Sequence, residues 1–210
     1  EAAQRVVEAF LQKNDTGLGY IRIGNLYARV KKWGEAVHYL ELATKRDPRN
    51  AFAYYELGLA QHQNKKTDDA TISLRKSLQI SSRTLKTYQA LAEILELAGS
   101  RQDARNTLSD ALKKTGDSAL VRKGLCRLNF LDSYFKESLK HCRRAFELDP
   151  NDVSSAVLYA RTQYDNQQRK EALASLDTLT SKFPKAAFAF RARGIIYFQE
   201  KSYEQALQDL

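Results

Sequence analysis

The sequence predicts an all-α protein built as a linear array of helix hairpins. Three observations carry this: a 34-residue period, helical spacing of apolar residues inside each period, and a scarcity of loop-forming residues. Pro48 and Pro150 stand three periods apart, and Pro150 and Pro184 one. Alanine keeps the same beat at Ala2, Ala36, Ala70, Ala104, Ala172 and Ala206, with Ser138 at the remaining place. Each is preceded by an acid or its amide, Glu1, Glu35, Asp69, Asp103, Glu137, Glu171 and Gln205. A second small-residue series runs Gly24, Gly58, Ala92, Cys126, Ala160 and Gly194. Only nine glycines and three prolines occur in 210 residues, which disfavours loop-rich β folds. The 43% apolar and 28% charged content is ordinary for a globular chain with a buried core.

Five full units fit at 17–50, 51–84, 85–118, 119–152 and 153–186, with a half unit at 1–16 and a partial one at 187–210. The whole of 1–210 therefore reads as a single solenoid, cut in mid-unit at both ends. Arrays of this kind end in polar capping helices, so a segment of a longer chain is expected. In the first full unit Tyr20, Ile23, Gly24 and Tyr27 recur at helical spacing, then Ala36, Leu40 and Ala43 do so again. The turn between falls around residues 31–34, and Asp47-Pro48 closes the second helix, because proline lacks a donor and disfavours helix before it. The acidic series falls in the first turn of each second helix, where the helix dipole favours a carboxylate. Small residues at Gly24 and Ala36 permit close helix approach, while Tyr20, Tyr27 and Leu40 fill the space alongside.

At these residues the chain resembles the tetratricopeptide repeat family, whose pattern is W-x₂-L-G-x₂-Y, A-x₃-F and P over 34 residues. Tyr20, Ile23, Gly24, Tyr27, Ala36, Leu40 and Pro48 match it in the first unit, and Tyr54, Leu57, Gly58, Ala70 and Leu74 in the second. The fourth unit departs most, with Arg122, Cys126, Asn129, Ser138 and Cys142 at signature positions. The resemblance implies a right-handed superhelix whose concave groove binds peptide segments or other proteins. It implies no reaction and no cofactor.

In that family, positions 2, 5, 9 and 12 of each first helix line the groove. Projected here they include Tyr55, Leu59 and His62 in the second unit. The last three units supply Lys123, Arg127, Phe130, Arg161, Tyr164, Phe188, Arg191, Ile195 and Phe198, with no acid among their groove positions. Arginines beside aromatic anchors suit a partner segment with apolar anchors and acidic flanks. The aromatics also fit an inter-repeat core, and Asp165 lies one turn from Arg161, placed to neutralise it. The family's carboxylate clamp is not intact: the first unit onward offers Ile21, Asn25, Glu56, Lys86 and Ala90, and Glu56 would repel a carboxylate.

A net charge of +9 raises nucleic acid or an anionic membrane as an alternative partner. The charge is spread along the array, however, and the paired lysines at Lys31-Lys32 and Lys65-Lys66 read as solvated turns. Self-association through uncapped ends is a further alternative. Cys126 and Cys142 are the only cysteines, both at core positions of one hairpin; they are expected to be buried free thiols, with a disulfide as the alternative that the close approach at the small-residue series would allow. That expectation favours a cytoplasmic over a periplasmic location. His38, His62 and His141 lack metal-ligand spacing, and Gly17-x-Gly19 with Gly24 lacks the spacing and preceding strand of a dinucleotide loop. No apolar run approaches a membrane span. The sequence thus predicts a non-enzymatic interaction scaffold without cofactor or metal.

Overall fold

The computed structural model describes residues 2–210; Glu1 and the side chain of Ala2, from the two periodic series, lie outside the described part. It contains two compact units, 1–115 and 116–210. Unit 1 holds α1 (Ala2–Lys13), α2 (Gly17–Arg29), α3 (Trp33–Arg46), α4 (Ala51–Gln63), α5 (Thr67–Ile80), α6 (Leu85–Leu97) and α7 (Arg101–Thr115). Unit 2 holds α8 (Ala119–Leu131), α9 (Phe135–Leu148), α10 (Val153–Asp165), α11 (Arg169–Lys182), α12 (Ala187–Gln199) and α13 (Tyr203–Asp209). Every element among the described residues is helical, and α2/α3, α4/α5 and α6/α7 in unit 1 and α8/α9, α10/α11 and α12/α13 in unit 2 pair as hairpins. No helix among them is long and apolar enough to cross a membrane.

The hairpin turns share one device. The residue two places past each first helix takes a left-handed backbone: Lys31, Lys65, Gly99, Ser133, Gln167 and Lys201, with φ between 58° and 82°. The next amide then reaches back to a carbonyl five residues earlier, as in Lys66 N to Gln61 O at 2.8 Å and Ser100 N to Leu95 O at 2.8 Å. This satisfies carbonyls that the helix end would leave bare. Some helix starts carry side-chain caps: Thr16 Oγ1 takes Gly19 N at 3.1 Å and Asn50 Oδ1 takes Ala53 N at 3.1 Å, whereas Thr84 and Ser118 cap α6 and α8 without a side-chain bond.

The small-residue series sets how closely the hairpin helices approach. A Cβ on Gly24 would lie 2.6 Å from Leu40 Cγ, and one on Gly58 would lie 2.7 Å from Leu74 Cγ. Leu40 and Leu74 are fully buried against those glycines, a burial that contributes roughly 2 kcal/mol each. In the fourth repeat the same two positions carry Cys126 and Cys142. There the structure corrects the free-thiol expectation: the two are joined in a disulfide, with Cα atoms 5.0 Å apart. Helix packing at ordinary distance would keep cysteines beyond bonding reach, but small side chains at this crossing bring the backbones within it. The free-thiol argument for a cytoplasmic location loses its premise. Ser138 and Thr162 surround the bond, Ser138 Oγ donating to Cys126 O at 2.9 Å and Thr162 Oγ1 to Leu158 O at 2.8 Å.

Candidate functional site

In unit 2 the residues singled out from the sequence lie on the first helices of the hairpins, α8, α10 and α12. Their environments differ. Lys123 is engaged: its Nζ donates to Asp152 Oδ2 at 2.7 Å and also meets Ser154 Oγ. Burial works against Asp152 ionising, but hydrogen bonds from Lys123, Ser155 and Ser154 outweigh it and hold the carboxyl well below the usual range. Arg127 and Arg161, at one repeat position on successive first helices, are both exposed. The Arg161 guanidinium lies over the Phe130 ring at 5.2 Å, and that ring stands edge-on to Phe135 at 5.9 Å. Asp165 does feel the charge of Arg161, yet burial dominates and raises its carboxyl.

Tyr164 is part of the packing between hairpins. Its hydroxyl donates to Glu200 Oε1 at 2.8 Å, Arg169 pairs with the same carboxylate at 3.4 Å, and the Arg169 guanidinium lies 6.0 Å from the tyrosine ring. On α12, Phe188, Arg191, Ile195 and Phe198 form one stripe at helical spacing. The three apolar members are 42%, 45% and 61% exposed. Phe130 and Tyr164, at the repeat position of Phe198, are half-buried against following elements, whereas Phe198 is exposed and stands edge-on to Tyr203 at 5.5 Å. Arg193 shares α12 but not the stripe. It forks onto Asp209 at 2.7 Å, reaches Asp177 at 2.8 Å, and lies over Phe190 and Tyr197, so its charge is used internally. Sequence reasoning did not find Asp152 or Glu200 as internal partners; the cap position of Asp152 before α10 was the one available signal.

In unit 1, Tyr55 is half-buried and offset-stacked on Phe52, with centroids 6.4 Å apart. Burial and the neighbouring Glu56 charge raise its phenol. Leu59 lines a cavity of about 350 Å³, together with Asn25, Ala28, Trp33, Glu56, His62 and Glu93. Burial pushes the Glu56 carboxyl up. Among the described residues, no group of three or more His, Cys, Asp or Glu is placed to hold a metal ion.

Against solved structures the chain is similar to YrrB, described as a TPR protein with an unusual peptide-binding site. The two are 20% identical, with a TM-score of 0.70 over 89% of this chain and 96% of that one. A tetratricopeptide repeat protein from Parabacteroides merdae gives a TM-score of 0.80 at 16% identity, over 92% of this chain and 77% of that one. At these identities the likeness shows the fold, an all-α superhelical array of hairpins. Among curated proteins, human PEX5-related protein is 32% identical over 76 residues, which is 36% of this chain and 12% of that protein. The chain thus matches about an eighth of that relative's length. The tetratricopeptide repeat profile matches residues 21–83 and 159–210, more than half of the chain, in the register of the helices above: the chain belongs to the tetratricopeptide repeat family.

Proposed function

We propose that the chain is a non-catalytic interaction scaffold, and that the first-helix face of unit 2 binds a partner segment carrying apolar anchors flanked by acids. The carrying observation is the α12 stripe, which leaves Phe188 and Ile195 nearly half exposed beside an exposed Arg191. Arg161 over Phe130 and exposed Arg127 extend that chemistry along α10 and α8. An apolar anchor beside a guanidinium fork is what a hot spot for such a segment requires. Lys123 and Tyr164 support the surface rather than contact the partner, since both are already bonded within unit 2. Tyr55 and Leu59 belong to unit 1 and are left out of this surface. The protein-binding family of the chain and the peptide-binding site named for YrrB support the same reading.

The test selects binding segments from a displayed random peptide library and measures their affinities at 150 mM salt. Selected peptides are expected to combine Asp or Glu with bulky apolar residues. Arg127→Glu with Arg161→Glu should weaken them at least about tenfold through like-charge repulsion. Affinities unchanged within about threefold, or selected peptides without acids, would refute the proposal.

A further inference from the structure

The cavity of unit 1 carries chemistry opposite to that of the unit 2 face. Its walls contribute two carboxylates, Glu56 and Glu93, and no lysine or arginine. Asn25 Oδ1 and His62 Nδ1 are buried there without a hydrogen-bond partner among the described residues. An unpaired buried acceptor costs about 1–3 kcal/mol, so two of them at one cavity, beside a desolvated carboxylate, mark a place suited to a donor. Burial raises the Glu56 carboxyl with no cation offsetting it. The remaining wall is mostly apolar and aromatic, with Ala28, Leu59, Ile94 and Trp33, and Gln63 as its one other polar side chain. At about 350 Å³ the cavity is at the small end of ligand sites, the scale of one side chain rather than a folded element.

We propose that this cavity is a guanidinium-binding subsite, which takes one arginine side chain of a partner through Glu56, Asn25 and His62. The match is one of donor count and shape. A guanidinium offers five N–H donors in a planar fork and accepts nothing, so it serves a carboxylate, an amide oxygen and an imidazole nitrogen together. His62 Nδ1 accepts when the proton is on Nε2. The methylene stem and flat cation face suit Leu59 and the Trp33 ring. An acidic side chain would instead meet the Glu56 and Glu93 carboxylates, with no lysine or arginine in the lining to offset the repulsion. This inference goes beyond the unit 2 reading and shares no residue with it, so either can fail without the other.

The single tryptophan of the chain is Trp33, so its emission reports on the cavity directly. The probes are N-acetyl-arginine amide, the uncharged isostere N-acetyl-citrulline amide, and N-acetyl-glutamate amide. The arginine probe is expected to give a saturable emission change with a Kd of about 1 mM, fitting a ligand of its size. The citrulline probe should bind at least about tenfold more weakly, the loss of charge-assisted bonding, and the glutamate probe should not saturate. Glu56→Gln keeps the side-chain volume and should weaken the arginine probe about tenfold. Asn25→Asp, as a second variant, should tighten it. No saturable response to the arginine probe by about 20 mM, equal affinity for arginine and citrulline, or unchanged affinity in Glu56→Gln would overturn the proposal.

Discussion

Asp152 performs two tasks that substitution can separate. As the cap of α10 its Oδ1 accepts from Ser154 N at 3.0 Å, and its Oδ2 accepts from Lys123 Nζ at 2.7 Å and Ser155 Oγ at 2.6 Å. The Asp152 and Lys123 side chains are only 28% and 29% exposed, so solvent screens the pair incompletely. A lost cap costs about 1 kcal/mol, and a lost charge-assisted hydrogen bond about 1.5 kcal/mol. Asp152→Ala should therefore lower the opening free energy of α10 by about 2.5 kcal/mol, roughly 60-fold faster amide exchange in peptides covering 153–165. Asp152→Asn keeps a capping oxygen and loses the ion pair together with the acceptor for Ser155 Oγ, for about tenfold faster exchange. Hydrogen exchange read by mass spectrometry at pH 7 measures both. The folded carboxyl titrates below its ordinary value of 3.8. Its contribution is therefore complete above about pH 5, and the gap between wild type and Asp152→Asn should narrow as pH falls further. Equal exchange in the two variants, or a gap that widens on acidification, would refute the division into cap and ion pair.

Two further outcomes follow from the turns and the cysteines. Lys65 has φ 63° at the turn position where Gly99 sits at φ 82°. Lys65→Gly should relieve left-handed strain and, after the entropy cost of glycine, raise stability by about 0.5 kcal/mol in urea titrations followed by Trp33 emission. An equal gain from Lys65→Ala would refute that account. For Cys126 and Cys142, the unreduced, denatured protein should yield no free thiol. Reduction should speed exchange across α8 and α9, since opening a loop of 16 residues removes about 3 kcal/mol of constraint on the unfolded chain. Two titratable thiols before reduction would contradict the bond.

The helices, their order and their pairing are legible in the amino-acid sequence because they repeat. Gly24, Gly58 and Gly194 recur at one position, and each faces a leucine 16 residues on. Helical spacing, small residues at the crossings and proline after the second helix are local or periodic signals, which a linear sequence displays directly. The candidate site is legible there only as a set of positions. What each side chain does depends on neighbours in other helices and on rotamers that the period leaves open. Lys123 finds Asp152 at a separation of 29 residues, Tyr164 finds Glu200 at 36, and Arg193 finds Asp177 and Asp209 at 16. None of these pairs is repeated around the array, so no comparison of one unit with the next announces it. The sequence by itself determined the architecture and the family. Tertiary packing decided that Lys123 and Arg193 are paired internally, that Cys126 and Cys142 come within bonding distance, and that Glu56, Asn25 and His62 share a cavity. Periodicity specifies the backbone path, whereas charge neutralisation and burial are properties of distances across it.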